Sequence, residues 1–145
     1  MKRLRLLRRD DGQAIVEFAL ILPLLMGLLL GIVQFGIVFN NYETLTDAAR
    51  VGGRKASVAR FVGDNGAGAV AAAKAAASGL DQTQLGVTVH ACPPGTTWGS
   101  TCTVDDWSTP GNEVTMTVTY PYQLKILDWV VKTGSLTSIT KERLE

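Results

Sequence analysis

From Ala14 to Phe39 the chain is apolar apart from Glu17 and Gln34. As a helix this run would be about 39 Å long, more than the roughly 30 Å of bilayer hydrocarbon. A body of about a hundred residues could not enclose a helix that is apolar on every face, so the run reads as a membrane span. Beyond it the apolar positions take three- and four-residue spacing, at Val38, Tyr42, Leu45, Ala49, Gly52, Ala56 and Ala59. That spacing continues the helix, which is expected from about Gln13 to Arg60. Its exported half carries small residues, Ala48, Ala49, Gly52, Gly53 and Ala56, that let another backbone approach closely. The partner is either the protein's own sheet or a second subunit.

Asp64 to Gly68 (DNGAG) breaks this helix, and Ala69 to Ser78 restarts one of high intrinsic propensity that Gly79 can end. From Leu85 the period becomes two. Val87, Val89 and Ala91 alternate with polar positions, as do Val114, Met116, Val118 and Tyr120, which describes two half-buried strands. Between them Pro93, Pro94, Gly95, Gly99, Pro110 and Gly111 mark an exposed loop. A short helical turn around Leu124 to Val131 and a last strand from about Leu136 to Arg143 complete the expectation. The fold class is α+β, a small antiparallel sheet packed on the exported half of a long N-terminal helix. Three parts follow: a leader over residues 1–12, the helix over 13–60 with its membrane span ending near 39, and an exported domain over 61–145.

Charge changes the picture by its placement. The 14 Lys+Arg against 13 Asp+Glu look balanced, yet Lys2, Arg3, Arg5, Arg8 and Arg9 all precede the span, whereas only Arg50 and Arg54 fall within the fifteen residues after it. By the positive-inside rule the N-terminus is cytoplasmic and the body is exported. A neutral body with a basic tip argues against nucleic-acid binding, and the 46% apolar content argues against disorder. The apolar run is also far longer than that of a secretory signal peptide, and no small-x-small cut site follows it at once.

Cys92 and Cys102 bracket the turn-rich loop, and an oxidising compartment favours a disulfide between them. A metal site is the competing reading, but two thiols with His90 make three ligands at an unusual spacing for zinc. Nothing suggests a catalytic residue or a cofactor. There is a single His, no phosphate-binding glycine loop, and the adjacent Asp105 and Asp106 would point apart. His90 reads as a surface residue of a strand. The aromatic group of Trp98, Trp107, Tyr120, Tyr122 and Trp129 is either core or a recognition surface.

Glu17 inside the span needs a reason, because a carboxylate costs around 2.5 to 3.5 kcal/mol at mid-bilayer, less near the interface. It stands in RRDDGQAIVEF, five residues after Gly12. In this respect the chain resembles proteins with the class III signal of type IV pilins. The stretch GQAIVEFALILPLLMGLLLGIVQFG and the segment around DAARVGGRKA are similar to the TadE-like family of tight-adherence (Flp) pilus proteins. The residues that carry the resemblance are Gly12, Glu17 and Phe18, the Leu22-Pro23-Leu24 triplet and Ala48-Ala49-Arg50, within residues 9 to 60, with a weaker echo in Thr119 to Gln123.

The resemblance implies a pilin-like fold and a minor pilin or pseudopilin role in pilus assembly, adhesion and surface colonisation. It implies that a prepilin peptidase cuts between Gly12 and Gln13, and that Glu17, with Phe18, pairs with the mature amine of a neighbouring subunit, offsetting two charges that are each costly in lipid. Pro23, which removes a backbone donor, would let the helix bend. The implied partners are the peptidase, other pilin-like subunits, the assembly platform and the membrane, and the implied location is the bacterial inner membrane or an extracellular pilus. The competing reading is a permanently anchored, single-pass binding or sensor module.

Overall fold

The computed structural model describes residues 10–126 and 129–145. Lys2, Arg3, Arg5, Arg8 and Arg9 of the expected leader, and the pair Leu127 and Asp128, lie outside the described residues.

Helix α1 runs over Asp10–Ser57 for 48 residues, about 72 Å at 1.5 Å per residue. Among the described residues nothing covers its N-terminal half. None of its most apolar window is buried, and it is the one helix among the described residues long and apolar enough to cross a membrane. The C-terminal part is different: Leu45, Ala48, Ala49, Gly52, Gly53 and Ala56 are buried at three- and four-residue intervals. Tyr42, which the periodicity assigns to the same stripe, is largely exposed, because the covered face begins one turn later, at Leu45.

After a short helix α2 (Ala59–Val62), the chain reverses through Gly63, Asn65 and Gly66, all at positive φ. Asp64 then caps helix α3 (Ala67–Ala76), its carboxylate accepting the N–H groups of Gly66 and Gly68 at 3.1 and 2.7 Å. Gly66 is required twice over, since its φ is +82° and an added Cβ would sit 2.7 Å from the ring of Trp107.

Strands β1 (Gly86–Cys92), β2 (Glu113–Ile126) and β3 (Trp129–Arg143) form an antiparallel meander with β2 in the centre. The architecture is therefore α+β, a long apolar N-terminal helix with a small sheet on its C-terminal half. Val114, Met116 and Val118 turn inward and are fully buried, while the threonines between them face outward, as period two requires. The small residues of α1 bring helix and sheet together. A Cβ on Gly52 would lie 2.7 Å from Met116 Cε and 2.9 Å from Ala73 Cβ, and one on Gly53 would lie 3.0 Å from Thr140 Cγ2. The partner of that small-residue face is thus the protein's own sheet and α3.

The expected helical turn at Leu124 to Val131 is a correction. Those of its residues that are described are strand: β2 continues to Ile126, and β3 begins at Trp129, not at Leu136. Ile126, Trp129, Val130 and Val131 are β-branched or aromatic, and cross-strand pairing overrides the short apolar run's resemblance to a helix. β1 reaches only to the Gly86↔Thr119 pair, so residues 120–126 and 129–136 form a two-stranded arm beyond the three-stranded sheet. Pro121 fits there because one side of β2 is an edge at that point and needs no donor.

The sheet has a definite direction along α1. At one end, the Glu145 N–H donates to the Ser57 carbonyl at 2.9 Å, and Arg60 Nε donates to the Glu145 carbonyl at 2.8 Å. Met116 and Thr140 lie against Gly52 and Gly53, and Tyr120 and Leu136 pack on the core cluster that includes Leu45, the first buried residue of α1. Moving from Glu113 to Tyr120 therefore moves back along α1 toward Phe39, and the arm continues in that direction.

Candidate assembly site

The residues singled out near the start of α1 share one exposed helical surface. Gln13 Nε2 donates to Glu17 Oε1 at 3.0 Å, one helical turn apart, so the carboxylate is oriented within its own chain. Gly12 has nothing within 4 Å of where a Cβ would be, and Phe18 is 64% exposed. Ile15, Val16 and Leu20 around them are equally bare. Glu17 is thus a carboxylate on an otherwise apolar helix surface, with a neutral amide as its partner.

Pro23 lies inside α1, which runs through it without a break. Lacking an N–H, Pro23 leaves the carbonyl of Ala19 without its helical donor. Further along, Phe35 and Phe39 stack at 6.3 Å on this bare surface.

Cys92 and Cys102 are joined in a disulfide with their Cα atoms 6.0 Å apart. They lie at the other end of the molecule, since Cys92 pairs with Glu113 at the sheet end that adjoins the C-terminus of α1. The structure does not bring them near Glu17. Both sulfurs are bonded to each other, which leaves His90 without the thiol partners of a metal site. Among the described residues, no group of three or more His, Cys, Asp or Glu side chains could hold a metal.

The disulfide loop holds an arrangement that the sequence pattern did not reveal. His90 is half-buried, not simply exposed: its Nδ1 is 3.2 Å from Asp105 Oδ1, and its ring stacks on Trp98 at 3.7 Å between centroids. Asp105 Oδ1 also accepts the Ala91 N–H at 2.9 Å. The adjacent Asp106 points elsewhere, accepting from Ser108 Oγ at 2.7 Å and from the Ser108 and Thr109 N–H groups. Hydrogen bonds from Thr109 and Ser108 hold its carboxyl well below the usual carboxylate range. The available signal was that Trp98 and Asp105 flank Cys102 while His90 is two residues before Cys92, so closing the loop folds the first pair over the last. The aromatic group divides. Trp107 and Tyr120 pack on the core, Trp98 covers His90, and Trp129 is 82% exposed.

Residues 12–54 match the model of the TadE-like protein family. The match starts at Gly12, ends at Arg54, and takes in Gln13, Glu17, Phe18 and Pro23, but neither the cysteines nor the sheet. It spans less than a third of the 145 residues. No curated protein and no solved structure matches the chain.

Proposed function

We propose that the protein is a pilin-like structural subunit of a tight-adherence pilus, held in the inner membrane by α1 with its body exported until it is assembled. The observation that carries this reading is Glu17, exposed on an apolar helix five residues after Gly12, in the segment that matches the TadE-like family. A prepilin peptidase cuts between Gly12 and Gln13 and leaves an amine four residues before the carboxylate. Apposed to a neighbouring subunit, that amine and Glu17 neutralise one another in a medium where each alone is costly. Gln13 then holds the carboxylate in place, as it does within the single chain. The bare apolar surface of α1 supplies lipid contact before assembly and helix contact after it.

Two measurements test this. Mass spectrometry of the protein from native membranes should find a chain beginning at Gln13, and recovery of the uncut leader refutes processing. Glu17→Ala should leave insertion, folding and cutting intact, since the body begins tens of residues downstream and insertion only gains from losing a charge. It should abolish piliation and adherence. Normal piliation at normal protein level would sink the assembly role and favour a permanently anchored sensor.

A further inference from the structure

The exported half of α1 carries its charge on the side turned away from the sheet. At about 100° per residue, Glu43, Asp47, Arg50 and Arg54 fall within roughly 60° of one another, opposite the buried stripe from Leu45 to Ala56. All four are exposed, and among the described residues the ion pairs are His90–Asp105 and Lys141–Glu113, so none of the four is paired within the chain. The hydroxyls beside them are turned to their own helix, Thr44 and Thr46 donating to the Asn40 and Tyr42 carbonyls at 2.9 Å. Lys55, a further cation of this segment, lies off the stripe toward Gly68 of α3.

The order of signs is not one from which a solitary helix gains. Like charges stand four residues apart in both pairs, Glu43 with Asp47 and Arg50 with Arg54, a spacing that is weakly destabilising. The dipole at the C-terminus favours Arg54 but does not account for two acids in mid-helix. Against a second copy the same order is complementary. Glu43 to Arg50 and Asp47 to Arg54 are both separated by seven residues, within about 20° of two full turns, so a parallel copy displaced by about 10.5 Å sets both acids opposite both bases. With no displacement acid faces acid and base faces base. Displacement by three or by eleven residues makes a single pair. An antiparallel copy would make more pairs, but copies inserted with the same orientation have parallel helices.

The span and the N-terminus accommodate that displacement. The apolar run over 14–39 exceeds the roughly 30 Å of hydrocarbon by about 9 Å, so two copies can differ in height by nearly the required amount while both cover the bilayer core. Displaced by seven residues, the higher copy's Gln13 lies three residues, about 4.5 Å along the axis, from the lower copy's Glu17, against about 6 Å for copies level with one another. The step set by the stripe thus suits the pairing proposed for Glu17.

We infer that the stripe of Glu43, Asp47, Arg50 and Arg54 on α1 docks on the same stripe of a second, parallel copy of this chain displaced by seven residues, and so sets the step between neighbouring subunits. This deepens the reading of the chain as a pilin-like subunit and rests on it. Exposed ion pairs hold little by themselves, so apolar contact along α1 supplies the attachment and the charges select the register, as charged pairs do between the helices of a coiled coil.

The test places two differently tagged copies of the full chain in the membranes of piliated cells, one with Glu43→Cys and the other with Arg50→Cys. Cys92 and Cys102 are bonded to each other, so each added thiol is the only free one. A disulfide needs Cα atoms within about 7 Å, and level copies would hold positions 43 and 50 about 10.5 Å apart along the axis. Oxidation should therefore give mixed dimers in about fivefold excess over either homodimer. Glu43→Lys with Asp47→Lys should lower surface piliation about tenfold at equal protein level and equal cutting, because like charges then face one another. Adding Arg50→Glu with Arg54→Glu to the same chain should restore piliation to within about twofold. Homodimers through position 43 would place the copies level and overturn the displacement, as would mixed dimers of Glu43→Cys with Arg54→Cys in place of those with Arg50→Cys. A piliation loss that the fourfold reversal does not rescue, without cross-links, assigns the stripe to a different protein and overturns the pairing of copies. Silent charge reversal without cross-links, beside a Glu17→Ala variant that abolishes piliation, overturns the stripe and leaves the subunit reading standing. If Glu17→Ala is silent too, both fall.

Discussion

Gly52→Val should unfasten the body from the helix that carries it. The Cβ alone would stand 2.7 Å from Met116 Cε, 2.9 Å from Ala73 Cβ and 3.3 Å from the Ala69 carbonyl, and valine adds two methyls beyond that. Met116 is fully buried, so its methyl has no open space to enter, and Ala73 Cβ is fixed to the backbone of α3. Extra carbons in a filled core cost about 1–3 kcal/mol, and the helix regains only some tenths from replacing glycine. A net loss of about 1–2.5 kcal/mol is expected, a sizeable share of the roughly 5–15 kcal/mol that a domain possesses. Alanine at the same position should lose less, about 0–2 kcal/mol, because its propensity gain near 1 kcal/mol offsets part of the clash. Guanidinium unfolding of the micelle-embedded chain, followed by the near-ultraviolet signal of the packed Trp107, gives the midpoints. Gly79→Ala, where nothing lies within 4 Å, is the control. Combining Gly52→Val with Met116→Ala should restore only part of the loss, since the Ala73 contact remains. A Gly52→Val midpoint equivalent to wild type within about 0.5 kcal/mol would refute the packing argument, since that is the scatter of neutral surface changes.

Other outcomes follow from the loop and its neighbours. Reducing Cys92–Cys102 should lower stability by about 2–3 kcal/mol, read from unfolding midpoints with and without reductant, and neither thiol should alkylate before reduction. The Asp106 carboxyl is depressed by its hydrogen bonds, so its contribution is complete above the ordinary pKa near 3.9 and is lost as pH falls below it. The stability gap between wild type and Asp106→Ala, followed by thermal melts, should therefore narrow from pH 5 toward pH 2; a gap independent of pH would contradict this. Gly66→Ala combines a left-handed φ with a clash against Trp107 and should cost about 2 kcal/mol or more, visible as a lowered melting temperature and a changed Trp107 emission.

Local periodicity was enough to read most of the body. The inward set Val114, Met116 and Val118 and the helix stripe from Leu45 to Ala56 emerge as expected, because both are surfaces that face one core and their spacing is that of the element itself. The arm was misread for a related reason. Leu124 to Val131 places Lys125 and Asp128 three residues apart among apolar residues, a spacing that also suits a short helical turn, and over so few residues periodicity does not distinguish that turn from a strand pair. His90 was misread because its surroundings are long-range: Trp98 and Asp105 reach it only through a loop whose path depends on the disulfide and on Asp106, neither of which leaves a periodic trace.

The candidate assembly site stands out in the sequence, and among the described residues nothing covers it. Where a residue is buried, its identity is accounted for by fit, as Gly52 is by Met116 and Ala73, and little remains for function to explain. Along the N-terminal half of α1 there is no such fit, since none of its apolar window is covered. Lipid constrains these positions only to be apolar, and it is indifferent among Leu, Ile, Val and Phe. Lipid would not select a carboxylate at Glu17 or a missing donor at Pro23, and the proposed assembly role accounts for the first. Among the described residues the partner of Glu17 is Gln13, and it is neutral. Under the proposed function the opposite charge comes from the amine that a cut after Gly12 would create on an identical or related helix. On that argument the pairing requires processing. A variant whose leader cannot be removed, Gly12→Leu, should therefore reproduce the piliation defect of Glu17→Ala, and the double variant should be no worse than either alone. A double variant clearly worse than both, scored by surface piliation at equal protein level, would show that Glu17 serves something other than the mature amine.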